Sequence, residues 1–283
     1  MIAAPAAGRA GSPTSVWSAA AAGAPIHLAS FRPDPPESQA VPTGPGDYRQ
    51  TVMSTAADVL EELSRLGGYF GLPPAGPGAV RYPQLATPEV VTRFVEATRT
   101  AIATSVRVPA PTVEVRVAAS SFQLGVAARL LSPMIAGALC RQAIPVLTPD
   151  NLFFSAQNHA PVFSVHDVGI RDAPDIESAA RGISASVPTL FEPLNLTLRG
   201  VAGLSPLVST GNVASAANGA VTVLALTHPE LEHAGRALIE ALLAGTPLTD
   251  TGRLDRGNFT RHSCCLFYKV PGAGLCGDCV ISR

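Results

Sequence analysis

Four of the five cysteines in this 283-residue chain fall within sixteen positions near its C-terminal end. They are Cys264, Cys265, Cys276 and Cys279. Thiols this close together form disulfides, bind zinc or hold an iron–sulfur cluster. Disulfides are the least favoured of the three, because residues 1–50 contain no continuous apolar export signal. The spacing alone leaves zinc and an iron–sulfur cluster equally open.

The adjacent pair Cys264-Cys265 is the unusual half of this pattern. Neighbouring side chains in a strand point to opposite faces, so this pair needs an irregular backbone or a ligand that spans both directions. A cluster with two iron atoms is larger than a zinc ion and offers two metal atoms to reach. Residues 270–274, Val-Pro-Gly-Ala-Gly, can fold the second cysteine pair back on the first and supply N–H groups to the sulfurs.

The segment from Arg261 to Cys279 closely resembles the C-terminal signature of the FhuF-like ferric siderophore reductases. It reads RHSCCLFYKVPGAGLCGDC and has the Cys-Cys-x10-Cys-x2-Cys spacing of that family. The resemblance implies a [2Fe–2S] cluster ligated by Cys264, Cys265, Cys276 and Cys279. It also implies a fold related to the C-terminal part of siderophore synthetases. Residues 53–258 resemble the family only in length and in their Ala-rich helical character.

The function implied by the resemblance is one-electron reduction of a ferric siderophore. Siderophore oxygens hold ferric iron tightly and ferrous iron far less well, so one electron opens the chelate. The sequence contains no phosphate-binding Gly-x-x-x-x-Gly-Lys loop and no dinucleotide fingerprint, so a separate electron donor is expected. The alternative is a non-enzymatic iron–sulfur sensor of redox state or iron, or a siderophore-binding module with a structural metal site.

Composition excludes other classes of partner. The net charge is −1 and aromatic residues make up 5% of the chain, which argues against nucleic-acid binding. Residues 200–227 carry no formal charge, but polar residues interrupt them too often for a membrane span. At most peripheral membrane contact is expected. The predicted location is the cytoplasm, with the inner face of the membrane as an alternative position within it.

The predicted fold class is α+β and mainly α, with helices around a small antiparallel sheet and a C-terminal iron–sulfur loop. Residues 1–52 are predicted to be a disordered segment, because they are rich in Ala, Pro, Gly and Ser. Residues 53–258 are predicted to form the helical reductase-like domain. Residues 259–283 are predicted to form the cluster-binding segment.

Apolar periodicity and capping signals place the helices. The predicted helices cover residues 55–66, 87–105, 112–142, 187–201, 206–226 and 227–245. Short β-type runs at 144–147, 152–155 and 162–166 predict one small sheet. Cys140, the fifth cysteine, is predicted to be a small buried hydrophobe of the third helix rather than a ligand.

Three basic residues flank the cysteines: Arg261, His262 and Lys269. A solvated basic face is the simpler interpretation of this pattern. The functional interpretation is that these residues form the substrate side of the site and attract an anionic iron chelate or an acidic electron donor.

Overall fold

The computed structural model describes residues 55–157 and 159–281, and helices predominate within them. The predicted disordered segment, 1–52, lies outside the described residues. The six α-helices of the described part are α1 (Ala56–Arg65), α2 (Pro88–Val106), α3 (Val115–Arg141), α4 (Ile176–Ala202), α5 (Pro206–Thr227) and α6 (Glu232–Ala244). A mainly helical α+β fold with small antiparallel sheets is therefore confirmed.

Capping residues set several of the helix boundaries. Thr55 and Asp58 form a capping box at the start of α1, since the side chain of each accepts a hydrogen bond from the backbone N–H of the other. Helix α4 begins eleven residues before its predicted start, because the Asp175 side chain caps it by accepting a hydrogen bond from Ser178 N. Pro188 and Pro193 lie inside α4 without ending it.

The predicted start of the last helix at residue 227 is wrong. Thr227 is the last residue of α5, and its hydroxyl donates to the Leu224 carbonyl. A 3-10 turn, Pro229–Leu231, separates it from α6, whose N-cap is Leu231 without a side-chain cap. The proline ends one helix and forms a turn here before the next helix begins.

The centre of the molecule is the packing of α3 against α5. Helix α3 is buried along most of its length, from Val117 to Ala138. On α5 the buried positions are mostly small, which allows the two helix backbones to approach closely. In the described part, α3 is long and apolar enough to cross a membrane, but 78% of its most apolar window is buried inside the protein, as in a core helix.

The prediction that Cys140 is buried is wrong. Cys140 lies at the C-terminal end of α3 and is exposed to solvent, because the buried face of the helix ends at Ala138.

The strands form separate small sheets rather than the single sheet predicted. Strand β3 (Leu152–Gln157) pairs antiparallel with β4 (Ala160–Val165) and with the short β1 (Val80–Arg81). Strand β2 (Ala143–Val146) pairs instead with β5 (Gly169–Asp172). Strand β2 begins two residues after the end of α3, and its partner β5 follows β4 in the chain.

A β-hairpin that the sequence analysis missed leads into the cysteine segment. Strands β6 (Gly252–Asp255) and β7 (Asn258–Arg261) pair in antiparallel register. Arg256 and Gly257 join them, with φ values of 50° and 80°. Two consecutive positive φ values are typical of a type I′ turn, which matches the twist of the two strands.

Candidate metal centre

The cysteine segment, residues 261–281, begins at the end of β7 and lies against α5. Its two ends are joined by a hydrogen bond of 3.1 Å from Arg261 N to the Asp278 carbonyl. The Asp278 carboxylate accepts a short hydrogen bond from the hydroxyl of Ser215 on α5. These contacts fold the second cysteine pair back towards the first, as the turn-rich connection predicted.

The structure brings two of the four sulfurs into direct contact. The Sγ atoms of Cys265 and Cys276 are 3.4 Å apart, although the two residues are eleven positions apart in the sequence. Two thiolates that share one tetrahedral metal atom with bonds of about 2.3 Å lie about 3.8 Å apart. Cys265 and Cys276 are therefore close enough to share a metal atom after a small displacement. All four cysteines are free thiols.

Burial divides the cysteines into an inner and an outer pair. Cys265 and Cys279 are 8% and 3% exposed, whereas Cys264 and Cys276 are only partly buried. Across residues 55–157 and 159–281, no three His, Cys, Asp or Glu side chains are already arranged to hold a single metal ion. The segment thus gathers the thiols without closing them around one point.

Backbone N–H groups point at the sulfurs, and they belong to residues close behind the cysteines. Leu266 N donates to Cys264 Sγ over 3.3 Å, and Ile281 N donates to Cys279 Sγ over 3.4 Å. Leu266 adopts a left-handed backbone with φ of 71°, unusual for a residue with a side chain. This residue directly follows the adjacent pair Cys264-Cys265. The backbone beside that pair is therefore irregular, as the sequence analysis expected for two neighbouring cysteines at one site.

The thiols influence one another's protonation. The hydrogen bond between Cys265 and Cys276 lowers the pKa of Cys265 and raises the pKa of Cys276, since one proton lies between the two sulfurs. Burial raises the pKa of Cys264, and the N–H of Leu266 opposes that rise. The positive charge of Arg261 is a smaller influence that lowers the pKa of all three thiols.

Arg261 does not belong to the exposed basic face that the sequence analysis predicted. Its side chain is 1% exposed, and its Nη2 donates to Asn212 Oδ1 over 2.7 Å and to the Val208 carbonyl over 3.3 Å. The side chain turns inward because α5 offers it these acceptors. The predicted placement of Arg261 on an exposed basic face is therefore wrong.

The other two basic residues remain at the surface. His262 is exposed, with Nδ1 at 2.9 Å from the Asp250 carbonyl. Lys269 Nζ forms an ion pair of 3.0 Å with Glu114, the residue that precedes α3. Part of the positive charge expected around the cysteines is thus neutralised.

Sequence reasoning missed the residues of α5 that receive the cysteine segment. A Cβ atom added at Gly211 would overlap the Ser263 hydroxyl and lie 3.1 Å from Arg261 Nη2. Asn212 also donates from Nδ2 to the carbonyl and hydroxyl of Ser120 on α3, over 3.0 and 3.1 Å. The available signal was the recurrence of small and polar residues in an otherwise apolar helix.

The fold and site together define a four-cysteine centre, carried on an irregular loop against a helical core. Residues 261–280 match the family model described as the FhuF 2Fe-2S C-terminal domain. The C-terminal segment is therefore similar to an FhuF-type 2Fe-2S domain, and the match points to a [2Fe–2S] cluster. A search of curated proteins finds no match to the chain.

The residues present fit such a cluster. The donor set consists of four free thiols, which are the usual ligands of [2Fe–2S] clusters. Two buried polar atoms, Arg261 Nε and Ser263 Oγ, have no hydrogen-bond partner among the described residues. Polar groups left in this way beside the cysteines are consistent with an anionic group bound there.

Proposed function

We propose that this protein reduces ferric siderophores by one electron and thereby releases ferrous iron. The main support is the match of residues 261–280 to the FhuF 2Fe-2S domain, with all four cysteines on one short segment. When bound, a [2Fe–2S] cluster supplies a one-electron carrier. Cys264, Cys265, Cys276 and Cys279 would hold it.

The reaction needs a reductant that the chain does not contain. A separate donor gives up one electron, ferric iron becomes ferrous, and the siderophore leaves without its metal. Ferrous iron is a poorer match for hard oxygen ligands, so no acid or base in the protein is needed to open the chelate. The task of the protein is to hold the redox centre where both partners can approach it.

Exposure of the outer cysteines supports such access. Cys264 and Cys276 are only partly buried, and nearby Tyr268 and Leu275 are 47% and 45% exposed. A purely structural metal site needs no such opening. We propose that the surface formed by Tyr268, Lys269 and Leu275, here called the cysteine rim, contacts the ferric siderophore.

Reoxidation of the reduced protein tests this function. The protein is reduced under anaerobic conditions, freed of excess reductant, and mixed with ferric hydroxamate or ferric catecholate siderophores and a ferrous-specific chelator. We expect the visible spectrum of the oxidised protein to return while an equal amount of ferrous iron is trapped. Iron-free siderophores serve as the control and should leave the protein reduced.

A protein that stays reduced beside every siderophore class, although the transfer is thermodynamically downhill, contradicts the proposal and favours a sensor. Lys269→Gln and Tyr268→Ala test the cysteine rim in the same assay. Both should slow reoxidation by the siderophore without changing the amount of cluster bound. Arg253→Gln is the matched control, because Arg253 is exposed on the preceding hairpin.

A further inference from the structure

We infer that Arg261 is an internal counter-charge for the iron–sulfur cluster, held by Asn212, and that it raises the reduction potential of the cluster. The inference needs the cluster but not a siderophore substrate. It therefore stands or falls separately from the proposed function.

The first observation is the burial of a permanent positive charge. A guanidinium group stays protonated throughout the range in which proteins fold, and burying it without an opposite charge is costly. Arg261 is 1% exposed. Among the described residues it forms no ion pair with a carboxylate, and its side chain donates to the neutral oxygens of Asn212 and Val208.

The second observation is where the charge is held. Arg261 begins the cysteine segment, and its N–H bonds the carbonyl of Asp278, which precedes Cys279. Its Nη2 and the hydroxyl of Ser263, the residue before Cys264, lie against the same point of α5, at Gly211. The anionic groups on the segment that Arg261 begins are the Asp278 carboxylate, which is bonded to Ser215, and the thiolates with the cluster they would hold.

The third observation is an unused donor. Arg261 Nε is buried without a hydrogen-bond partner in the described part of the chain. The other end of the guanidinium is fixed by Asn212, whose own Nδ2 is bonded to Ser120 on α3. The arginine is thus held from the core side, with one N–H free in the interior.

These observations predict a redox effect. A [2Fe–2S] cluster with four thiolates is anionic and gains a further negative charge on reduction. A fixed positive charge in a poorly solvated site stabilises the more negative, reduced form. Net charge and burial are established influences on the potentials of such clusters. Arg261 should therefore make the cluster easier to reduce.

The test is the reduction potential of the full-length, cluster-loaded protein, measured by optical titration without siderophore. Arg261→Gln should shift the potential to a more negative value, whereas Arg261→Lys, which keeps the charge, should stay closer to the wild type. Arg253→Gln removes one exposed positive charge and should shift the potential much less. Equal potentials for Arg261→Gln and Arg253→Gln, with iron and sulfide contents unchanged, would overturn the inference.

A second variant covers the case in which Arg261→Gln does not bind the cluster. Asn212→Asp retains the arginine and places a carboxylate at the acceptor, so it should also lower the potential. An unchanged potential in loaded Asn212→Asp overturns the inference. If both variants lose the cluster while keeping the wild-type circular dichroism, Arg261→Lys decides. Retention of the cluster in that variant supports a role of the charge, and loss shows that side-chain shape is what matters.

Discussion

Asn212 Oδ1 accepts a 2.7 Å hydrogen bond from Arg261 Nη2, and this bond joins the middle of α5 to the first residue of the cysteine segment. The same amide donates to Ser120 on α3. One fully buried side chain thus connects the two central helices with the metal centre. The stability of the core and the geometry of the site should therefore change together.

Asn212→Ala should lower both stability and cluster retention. The substitution leaves the buried guanidinium with one acceptor fewer, and hydrogen bonds to charged groups contribute about 1.5–3 kcal/mol. The free energy of unfolding, measured with urea on the loaded protein, should fall by about that amount. Ser120→Ala is the matched control and should cost less, since the Ser120 carbonyl still accepts from Asn212. A cost for Asn212→Ala no larger than that of Ser120→Ala would contradict this account.

Gly211→Ala should separate the cysteine segment from α5. The added Cβ overlaps the Ser263 hydroxyl, so either the helix or the segment must move. We expect a lower melting temperature and a lower iron content per chain. The double variant Gly211→Ala/Ser263→Ala removes the nearest atom and should recover part of both losses.

A glycine in another helix provides the control for Gly211. Gly200 lies on an exposed part of α4 with nothing within 4 Å of an added Cβ. Gly200→Ala should stabilise the protein by about 0.5–1 kcal/mol, the usual gain in a helix. If Gly211→Ala behaves in the same way, the close approach of segment and helix is not needed.

Replacing any of Cys264, Cys265, Cys276 or Cys279 by serine should remove or distort the cluster. Each variant should lose the visible absorption of the purified protein together with iron and acid-labile sulfide. Cys140→Ser is the control and should keep all three, because Cys140 is exposed at the end of α3. A bleached Cys140→Ser protein would show that the ligand set is wrong. One zinc per chain and no sulfide in the wild type would contradict the cluster itself.

Alkaline pH should destabilise the protein through Tyr82. Burial raises the pKa of its phenol above the ordinary value of 10.0, and its hydroxyl donates to the Leu190 carbonyl. Because the folded pKa exceeds the unfolded one, this contribution is fully present below about pH 10 and is lost as the pH rises further. The unfolding free energy should fall above that pH, and phenolate absorbance from Tyr82 should appear only with unfolding.

Tyr82→Phe separates this effect from other alkaline changes. The variant should lose about 0.5–1.5 kcal/mol near neutral pH, the usual contribution of one hydrogen bond. As the pH rises above about 10, its unfolding free energy should also fall less than that of the wild type. Parallel pH profiles for the two proteins would rule out Tyr82 as the source.

The helical elements were predictable because their signals are local. Thr55 and Asp58 cap α1 through contacts three residues apart, and Pro88 begins α2 where a first-turn proline is favoured. The four-cysteine pattern is also local, since its spacing alone restricts the chemistry. Its resemblance to a known family then favoured one cofactor, which the family match supports.

Partners across the molecule could not be predicted in this way. Strand β2 pairs with β5 rather than with β3, because its pairing depends on where the end of α3 places it in the fold. The β6–β7 hairpin had a local signal in Arg256-Gly257, but its pairing is seen only when both strands are placed together.

The sequence by itself determined the cysteine set and a mainly helical fold, because spacing, capping and periodicity act over a few residues. Only the tertiary structure decided that Arg261 points inward while His262 points outward. The two residues are adjacent and both basic, so the sequence gives no local signal that one is buried and the other exposed. Arg261 is buried because Asn212, forty-nine positions earlier in the chain, accepts a hydrogen bond from it, and because Gly211 has no side chain to occupy the same space.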